Sequence, residues 1–351
     1  MKVRCALVTG AAGWLGTHLV RALSGGLPDT PSLAGIDGPN DIRCLVGPGD
    51  DETRIAGIPR ARIFRGDVTR PASLAEFCAG ARDAVVFHCA GVIHPSLFTA
   101  ALHRVNVDGT ANLLRSAIDA GARRFVHVSS NSPFGFNAGL GDRFDESSPY
   151  APYRAYGRTK RAAEDLVFEA SASGRIEATI VRPPWFYGPG QPARQTLFFR
   201  MVREGRFPIV GDGGNFRSMA YLDNLCQGLL LAAVRDAATG RAWWIADRRP
   251  YPMTEIVGTV ETVLREDFGL AVSDRRLTLP GFIGPVARAA DATLQALGLY
   301  SQKVHVLSEM DRDIACAIDG AAAALGYDPR VELREGMRRS IRWALDHGAR
   351  I

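Results

Sequence analysis

The stretch Cys5-Ala6-Leu7-Val8-Thr9-Gly10-Ala11-Ala12-Gly13-Trp14-Leu15-Gly16 decides how this chain is read. A short apolar run enters three glycines spaced G-x-x-G-x-x-G, and leucines follow at 15, 19 and 23 before Gly25-Gly26. The run predicts a buried strand, the leucines mark one face of a helix, and the glycine pair ends it. Glycines at such a junction let the backbone turn tightly, approach a pyrophosphate and seat the helix on the sheet. The helix N-terminus supplies amide donors and a favourable dipole. Gly10, Gly13, Trp14, Leu15 and Gly16 are therefore the expected cradle of a dinucleotide's phosphates.

Outward from this junction, short apolar runs at 42–46, 61–68, 84–89, 125–129 and 178–181 predict further strands. Helical patterns lie between them at 73–79, 97–120 and 155–172, and residues 27–41, rich in Pro, Gly and Asp, predict a loop. Strands alternating with helices imply α/β architecture: a Rossmann-type, doubly wound parallel sheet over residues 1–188. Beyond Gly188 the rhythm becomes irregular, with helices expected near 253–266, 284–297 and 332–346. Residues 189–351 are expected to form mainly a smaller C-terminal substrate-binding lobe, with a strand near 242–247 returning to the sheet.

Composition narrows the function classes. The chain has 351 residues, 46% hydrophobic and 23% charged, which excludes a disordered, collagenous or coiled-coil protein. The net charge of +5 is scattered rather than gathered into a basic stripe, so no nucleic-acid partner is expected. No uncharged run of 18 residues exists. The nearest, 281–299, contains Arg288 and Asp291 and reads as an amphipathic helix, so no membrane partner is expected. An apolar segment beginning at Val3 leaves no room for a signal peptide, and a soluble cytoplasmic protein is expected. Cysteines 5, 44, 78, 89, 226 and 316 have no C-x-x-C spacing and the histidines form no ligand pair. Reduced, buried thiols and no metal are expected.

Ligands of open α/β sheets sit at the C-terminal ends of the strands. The third predicted strand ends at Asp67-Val68, where a carboxylate could accept from an adenine amino group. The fourth ends at Cys89-Ala90-Gly91, whose small residues admit a ribose. The second ends at Gly47, followed by Asp50 and Asp51. Acidic residues there favour free ribose hydroxyls, so NAD is expected, with NADP left open.

Tyr156 and Lys160 stand four apart on a predicted helix, hence on one face. A phenol with a pKa near 10 moves protons poorly at neutral pH unless an ammonium favours its ionised form. With only three lysines and eight tyrosines in the chain, this spacing is rarely met by chance. Ser129 and Ser130, at the end of the fifth strand, are candidate donors to the same substrate oxygen.

These features together resemble the extended short-chain dehydrogenases/reductases of the NAD-dependent epimerase/dehydratase group. The resemblance rests on residues 9–16, Gly66-Asp67-Val68, Val105-Asn106-Val107-Asp108-Gly109-Thr110, 128–135, 156–160, 182–190 and Tyr221-Leu222-Asp223-Asn224. It implies that Tyr156 is the general acid/base and that Lys160 lowers its pKa and holds the nicotinamide ribose. Ser130 matches the family's catalytic serine or threonine, with Ser129 the fallback. Asn106 and Pro184 match cofactor contacts. Sugar dehydratases of the group carry Asp-Glu after the catalytic hydroxyl, where this chain has Asn131-Ser132, so an epimerase or dehydrogenase is expected. Arg217 matches a substrate diphosphate ligand, since arginine binds phosphate oxygens bidentately. A second such arginine is expected shortly before Asp319, but Arg312 is out of register. A nucleotide sugar is the first substrate expectation. The alternative is a hydroxysteroid dehydrogenase or ketoreductase, for which Trp185, Phe186, Tyr187, Phe198 and Phe199 would suit an apolar ligand; a non-catalytic dinucleotide-binding regulator is the third. The helices at 97–120 and 155–172 resemble those that pair in the family's homodimers.

Overall fold

The computed structural model describes residues 3–27 and 30–351; Lys2 and residues 28–29 of the expected loop lie outside the described residues. In chain order, the first part forms β1 (Cys5–Thr9), α1 (Trp14–Gly25), β2 (Asp41–Val46), β3 (Ala61–Arg65), α2 (Leu74–Cys78), β4 (Val85–His88), α3 (Ala100–His103), α4 (Gly109–Asp119), β5 (Arg124–Val128), α5 (Arg154–Ala172) and β6 (Glu177–Arg182). The later part forms β7 (Trp185–Tyr187), α6 (Ala193–Arg203), β8 (Pro208–Val210), β9 (Phe216–Arg217), β10 (Met219–Tyr221), α7 (Leu222–Val234), β11 (Ala242–Trp244), β12 (Tyr251–Pro252), α8 (Met253–Thr262), β13 (Leu277–Leu279), α9 (Ile283–Ala296), α10 (Gln302–Glu309), α11 (Asp319–Leu325) and α12 (Leu333–Asp346).

Seven parallel strands make one sheet in the order β11-β6-β5-β4-β1-β2-β3. The chain winds outward from β1 through β2 to β3, then resumes on the other side of β1 at β4. This switch between β1 and β4 opens a crevice at the strands' C-terminal ends, where such sheets bind ligands. Apart from the exposed edge strand β3, both sheet faces are covered, which is why the central strands read as mainly apolar runs. One face packs on α1, α7 and α11, and the other on α2, α4 and α5. The expected return strand is β11, whose Trp243 and Trp244 are fully buried. A separate core unites Tyr187, Phe198 and Phe199 with α8 and α12 in the C-terminal lobe.

Two departures affect the site. The helix expected over 97–120 starts at Ala100 and widens into a π turn at Arg104–Asp108. The preceding residues run through bends, with Phe98 bridging Leu299. The third strand stops at Arg65, because Asp67 closes a turn by accepting from the Thr69 amide at 2.9 Å. All six cysteines are free thiols: Cys44, Cys78, Cys226 and Cys316 are buried, whereas Cys5 and Cys89 are half-buried.

Candidate active site

The glycine junction is shaped by backbone contact. Gly10 has φ +64° and lies so close to β4's end that a Cβ would sit 2.8 Å from the Ala90 nitrogen. A Cβ on Gly16 would collide with the Gly10 carbonyl. α1 starts at Gly13 with neither a capping side chain nor an acidic residue in its first turn. Its amide donors and positive dipole end therefore face the crevice, as a pyrophosphate requires. Leu15 is buried beneath the turn. Trp14 turns away, donating its indole N–H to the Pro189 carbonyl at 2.8 Å and packing on Phe186.

The other strand ends are tied up differently from one another. Asp50 accepts from the Gly47 amide, and Asp51 accepts from the amide and hydroxyl of Thr53, so both aspartates close their own turns. The Val68 carbonyl receives the Asn112 amide at 3.1 Å, while Cys89, Ala90 and Gly91 lie at the crevice. Asn106 pins the loop after β4: its amide oxygen accepts from Val92 N–H at 2.8 Å, and its amide nitrogen donates to the Val92 carbonyl and the Thr159 hydroxyl. Pro184 is buried between β6 and β7.

α5 brings the chemistry to this crevice. Gly157 lets the helix press on the serine loop, where a Cβ would meet the Ser132 carbonyl. The phenol of Tyr156 thereby comes within hydrogen-bonding reach of the Ser130 hydroxyl. Burial pushes the Tyr156 pKa up to about 12; the Ser130 contact pulls it down and the Glu309 carboxylate adds to the rise. Lys160 is not among the groups that shift it. Its ammonium donates to the Val128 carbonyl at 2.6 Å and lies 3.5 Å from His127 Nε2, beneath β5. Burial pushes the Lys160 pKa down to about 8, opposed first by Glu164 and then by Cys89.

The two serines separate cleanly. Ser129 donates to the fully buried Glu164, which also accepts from the Tyr150 hydroxyl at 2.6 Å and from Arg182 at 2.7 Å. The Arg182 guanidinium lies 4.5 Å from the centre of the Phe134 ring, so this charge is enclosed by partners on every side. Ser130 instead bonds within its own loop, to Asn131 Oδ1 at 3.4 Å and the Ser132 hydroxyl at 3.3 Å, while accepting from the Ser132 amide at 3.3 Å. Glu164 is a residue the sequence reading missed, although it extends the Tyr156–Lys160 spacing by one more helical step. His88 was also missed. It is held between Thr9 and Thr110 at 2.8 and 2.9 Å, and burial pushes its pKa down to about 3.

The far wall comes from distant sequence. Tyr300 bonds His94 Nδ1 at 2.5 Å, and the electrostatic influence of Tyr156 reaches Tyr300. The His305 ring stacks on Tyr153 and bonds the buried Asp291 at 3.0 Å. Arg217 is buried, donates to the Glu309 main-chain carbonyl and is influenced by the carboxylates of Glu309, Asp313 and Asp311. No local motif announces Tyr300, Glu309 or His305, because they join the site only through packing.

A model of the NAD dependent epimerase/dehydratase family matches residues 6–246. The uncharacterized protein y4nL of Sinorhizobium fredii (strain NBRC 101917 / NGR234) is 50% identical over 97% of this chain and 95% of its own length. The 3beta-hydroxysteroid-dehydrogenase/decarboxylase isoform 1 of Arabidopsis thaliana is 28% identical over 96% of this chain and 79% of its own. Among solved structures, a double mutant of the dTDP-glucose 4,6-dehydratase DesIV from Streptomyces venezuelae, with NAD and DAU bound, superposes with a TM-score of 0.74 and 25% identity, covering 97% of each chain. The glycine cradle, the β1–β4 crevice and the extent of the family match lead to one conclusion: this chain belongs to the NAD-dependent epimerase/dehydratase family, and its cofactor is NAD.

Proposed function

We propose that the protein is an oxidoreductase that interconverts a secondary alcohol and its ketone, with Tyr156 as general acid/base and Ser130 as the donor that orients the substrate oxygen. The observation that carries this reading is the close packing of α5 on the serine loop, Gly157 against the Ser132 carbonyl, which sets Tyr156 beside Ser130 at the β1–β4 crevice. NAD supplies hydride exchange at nicotinamide C4. Gly10, Gly13 and Gly16, with the α1 amides, would hold its pyrophosphate, and Lys160 at the inner end of the site would meet the nicotinamide ribose. In reduction, Ser130 donates to the carbonyl oxygen and Tyr156 delivers the proton that completes the alcohol. In oxidation the same phenol must first lose its proton. With its pKa raised, oxidation is expected to accelerate as pH rises through the neutral and mildly alkaline range, while reduction stays level. Initial rates in both directions across pH check this sign.

The substrate that fits best is an apolar alcohol or ketone of the hydroxysteroid or ketoreductase kind. Arg217 is enclosed, already bonded to a carbonyl and surrounded by carboxylates, which is a poor setting for a diphosphate. Asn131 and Ser132, uncharged, follow Ser130, so no carboxyl group stands there to drive an elimination. The nucleotide-sugar reading stands second, because the exposed Arg194 near Tyr300 has no hydrogen-bond or ion-pair partner among the described residues and could receive a phosphate. NADH consumption by wild type and Tyr156→Phe, with hydroxysteroid and terpenoid ketones against UDP- and dTDP-4-ketosugars, decides between them. Turnover confined to the ketosugars would overturn the apolar reading, and turnover unaffected by Tyr156→Phe would overturn the mechanism.

A further inference from the structure

Seven of the eleven exposed large apolar side chains among the described residues fall in two segments: Ile93, Leu97 and Phe98 after β4, and Phe282, Val286, Leu297 and Val306 on α9, its two caps and α10. The segments are laced together. The Leu97 carbonyl accepts from Tyr300 N–H at 2.7 Å, the Gly298 carbonyl accepts from Thr99 N–H at 3.0 Å, and Phe98 bridges Leu299.

α9 is amphipathic in the inverse sense to an ordinary surface helix. Its charged residues point inward: Asp291, fully buried, bonds His305 and Gln295, and Arg288 bonds Asp311 and the Ser308 carbonyl. Its exposed side presents Phe282, Val286, Ala289, Thr293 and Leu297, with Phe282 65% and Leu297 71% exposed. This stripe is about 20 Å long at the rise of an α-helix. Between 281 and 308 the one exposed charged residue is Lys303. Arg104 beyond the first segment and Arg194 beside Tyr300 add two more exposed cations, and none of the three has an ion-pair partner among the described residues.

We propose that this face docks peripherally on an anionic lipid bilayer. Phe98, Phe282, Val286 and Leu297 would enter the interface, and Arg104, Arg194 and Lys303 would meet the headgroup phosphates. An apolar face rimmed by cations is the pattern of interfacial helices. A second copy of the chain suits it less well, since a self-complementary contact would set this basic rim against its own like charge. No helix of the described residues is long and apolar enough to cross a membrane, and peripheral docking needs none. Because Tyr300 lies under this face and also lines the Tyr156 cleft, docking would place the cleft mouth at the lipid surface. The inference goes beyond the proposed reaction and does not depend on which alcohol is the substrate.

Vesicle flotation of the full chain with bound NAD tests it, using phosphatidylcholine alone and phosphatidylcholine mixed with phosphatidylglycerol. Binding should be at least about tenfold stronger to the anionic vesicles, weaken with salt, and fall about tenfold or more in Phe282→Asp/Leu297→Asp. Retained NAD affinity and melting temperature certify the fold of that variant. Should it unfold, Arg104→Glu/Lys303→Glu must show the same loss. Absence of binding, or equal binding to both vesicles, overturns the proposal. So does a wild-type dimer in light scattering that the Phe282→Asp/Leu297→Asp change converts to monomer, since a second copy would then cover the face. The vesicles contain no substrate, so failure here is distinct from failure of the reaction reading.

Discussion

α5 and α9 touch each other, through Arg154 to Asp291 at 3.4 Å and the Ala155 amide to Gln295 at 3.0 Å, yet they use the same helical spacing in opposite directions. On α5, Tyr156, Lys160 and Glu164 recur every four residues and point into the protein. On α9, Phe282, Val286 and Leu297 lie along one side and point out of it. The inward charges of α5 are tolerated because each meets partners: Lys160 has the Val128 carbonyl, and Glu164 has Arg182, Tyr150 and Ser129. The outward apolar row of α9 is exposed and finds no cover among the described residues. Periodicity thus states which residues share a face, whereas packing decides whether that face is the core, the site or the surface.

The largest effect that would sharpen this contrast is at the top of the α5 row. Tyr156→Phe should lower turnover by about 10²–10⁴-fold, the usual worth of a positioned acid/base, and leave NAD affinity nearly unchanged. Steady-state rates and NAD titration measure the two quantities. A parallel collapse of NAD binding would make Tyr156 a structural residue.

At the bottom of the row, Glu164→Ala leaves the Arg182 guanidinium buried without its carboxylate. A broken buried pair costs about 3–5 kcal/mol, read from the denaturant midpoint. A loss below about 1 kcal/mol would mean that the aromatic enclosure of Arg182 suffices without the ion pair.

The third test concerns the buried histidine beneath this helix. Burial holds the folded-state pKa of His88 down at about 3. The unfolded chain binds a proton below about pH 6.5 and the folded chain does not, so stability falls as pH drops from about 6.5 towards 3. His88 contributes a slope of about 1.4 kcal/mol per pH unit within that window. Urea midpoints across pH should show a shallower acid slope in His88→Phe, whatever that variant's stability at neutral pH.

The smallest effect belongs to α9. Val286→Ser, at an exposed position, should shift stability by about 0.5 kcal/mol or less, whereas Val167→Ser on the buried side of α5 should cost well over 1 kcal/mol. Equal losses at the two positions would mean that α9 is covered in solution, and the contrast between the helices would fail.

Much of this molecule was legible before its structure. The glycine junction, the parallel strands, the return at β11 and the α5 helix all carry short-range signals: apolar runs of strand length, three glycines at fixed spacing, two prolines stopping β6. Tyr156 and Lys160 were legible because four residues make one helical step. The choice between Ser129 and Ser130 became a matter of geometry only when Glu164 was seen to occupy the first. The setting of Lys160 has a similar cause, since its ammonium is held under β5 by a carbonyl that no spacing rule indicates.

What the sequence by itself determined was the winding of the sheet, the glycine turn after β1 and the pair of residues on one face of α5, because each is written within one turn, one strand or one helical step. Only the tertiary structure decided that Glu309 and Tyr300 come within electrostatic reach of Tyr156, that Arg217 is closed off among carboxylates, and that α9 faces outward. Those facts join residues separated by 92 positions or more, or depend on which side of a helix finds a partner. Such contacts are set by the summed packing of the lobes, and no local pattern records them.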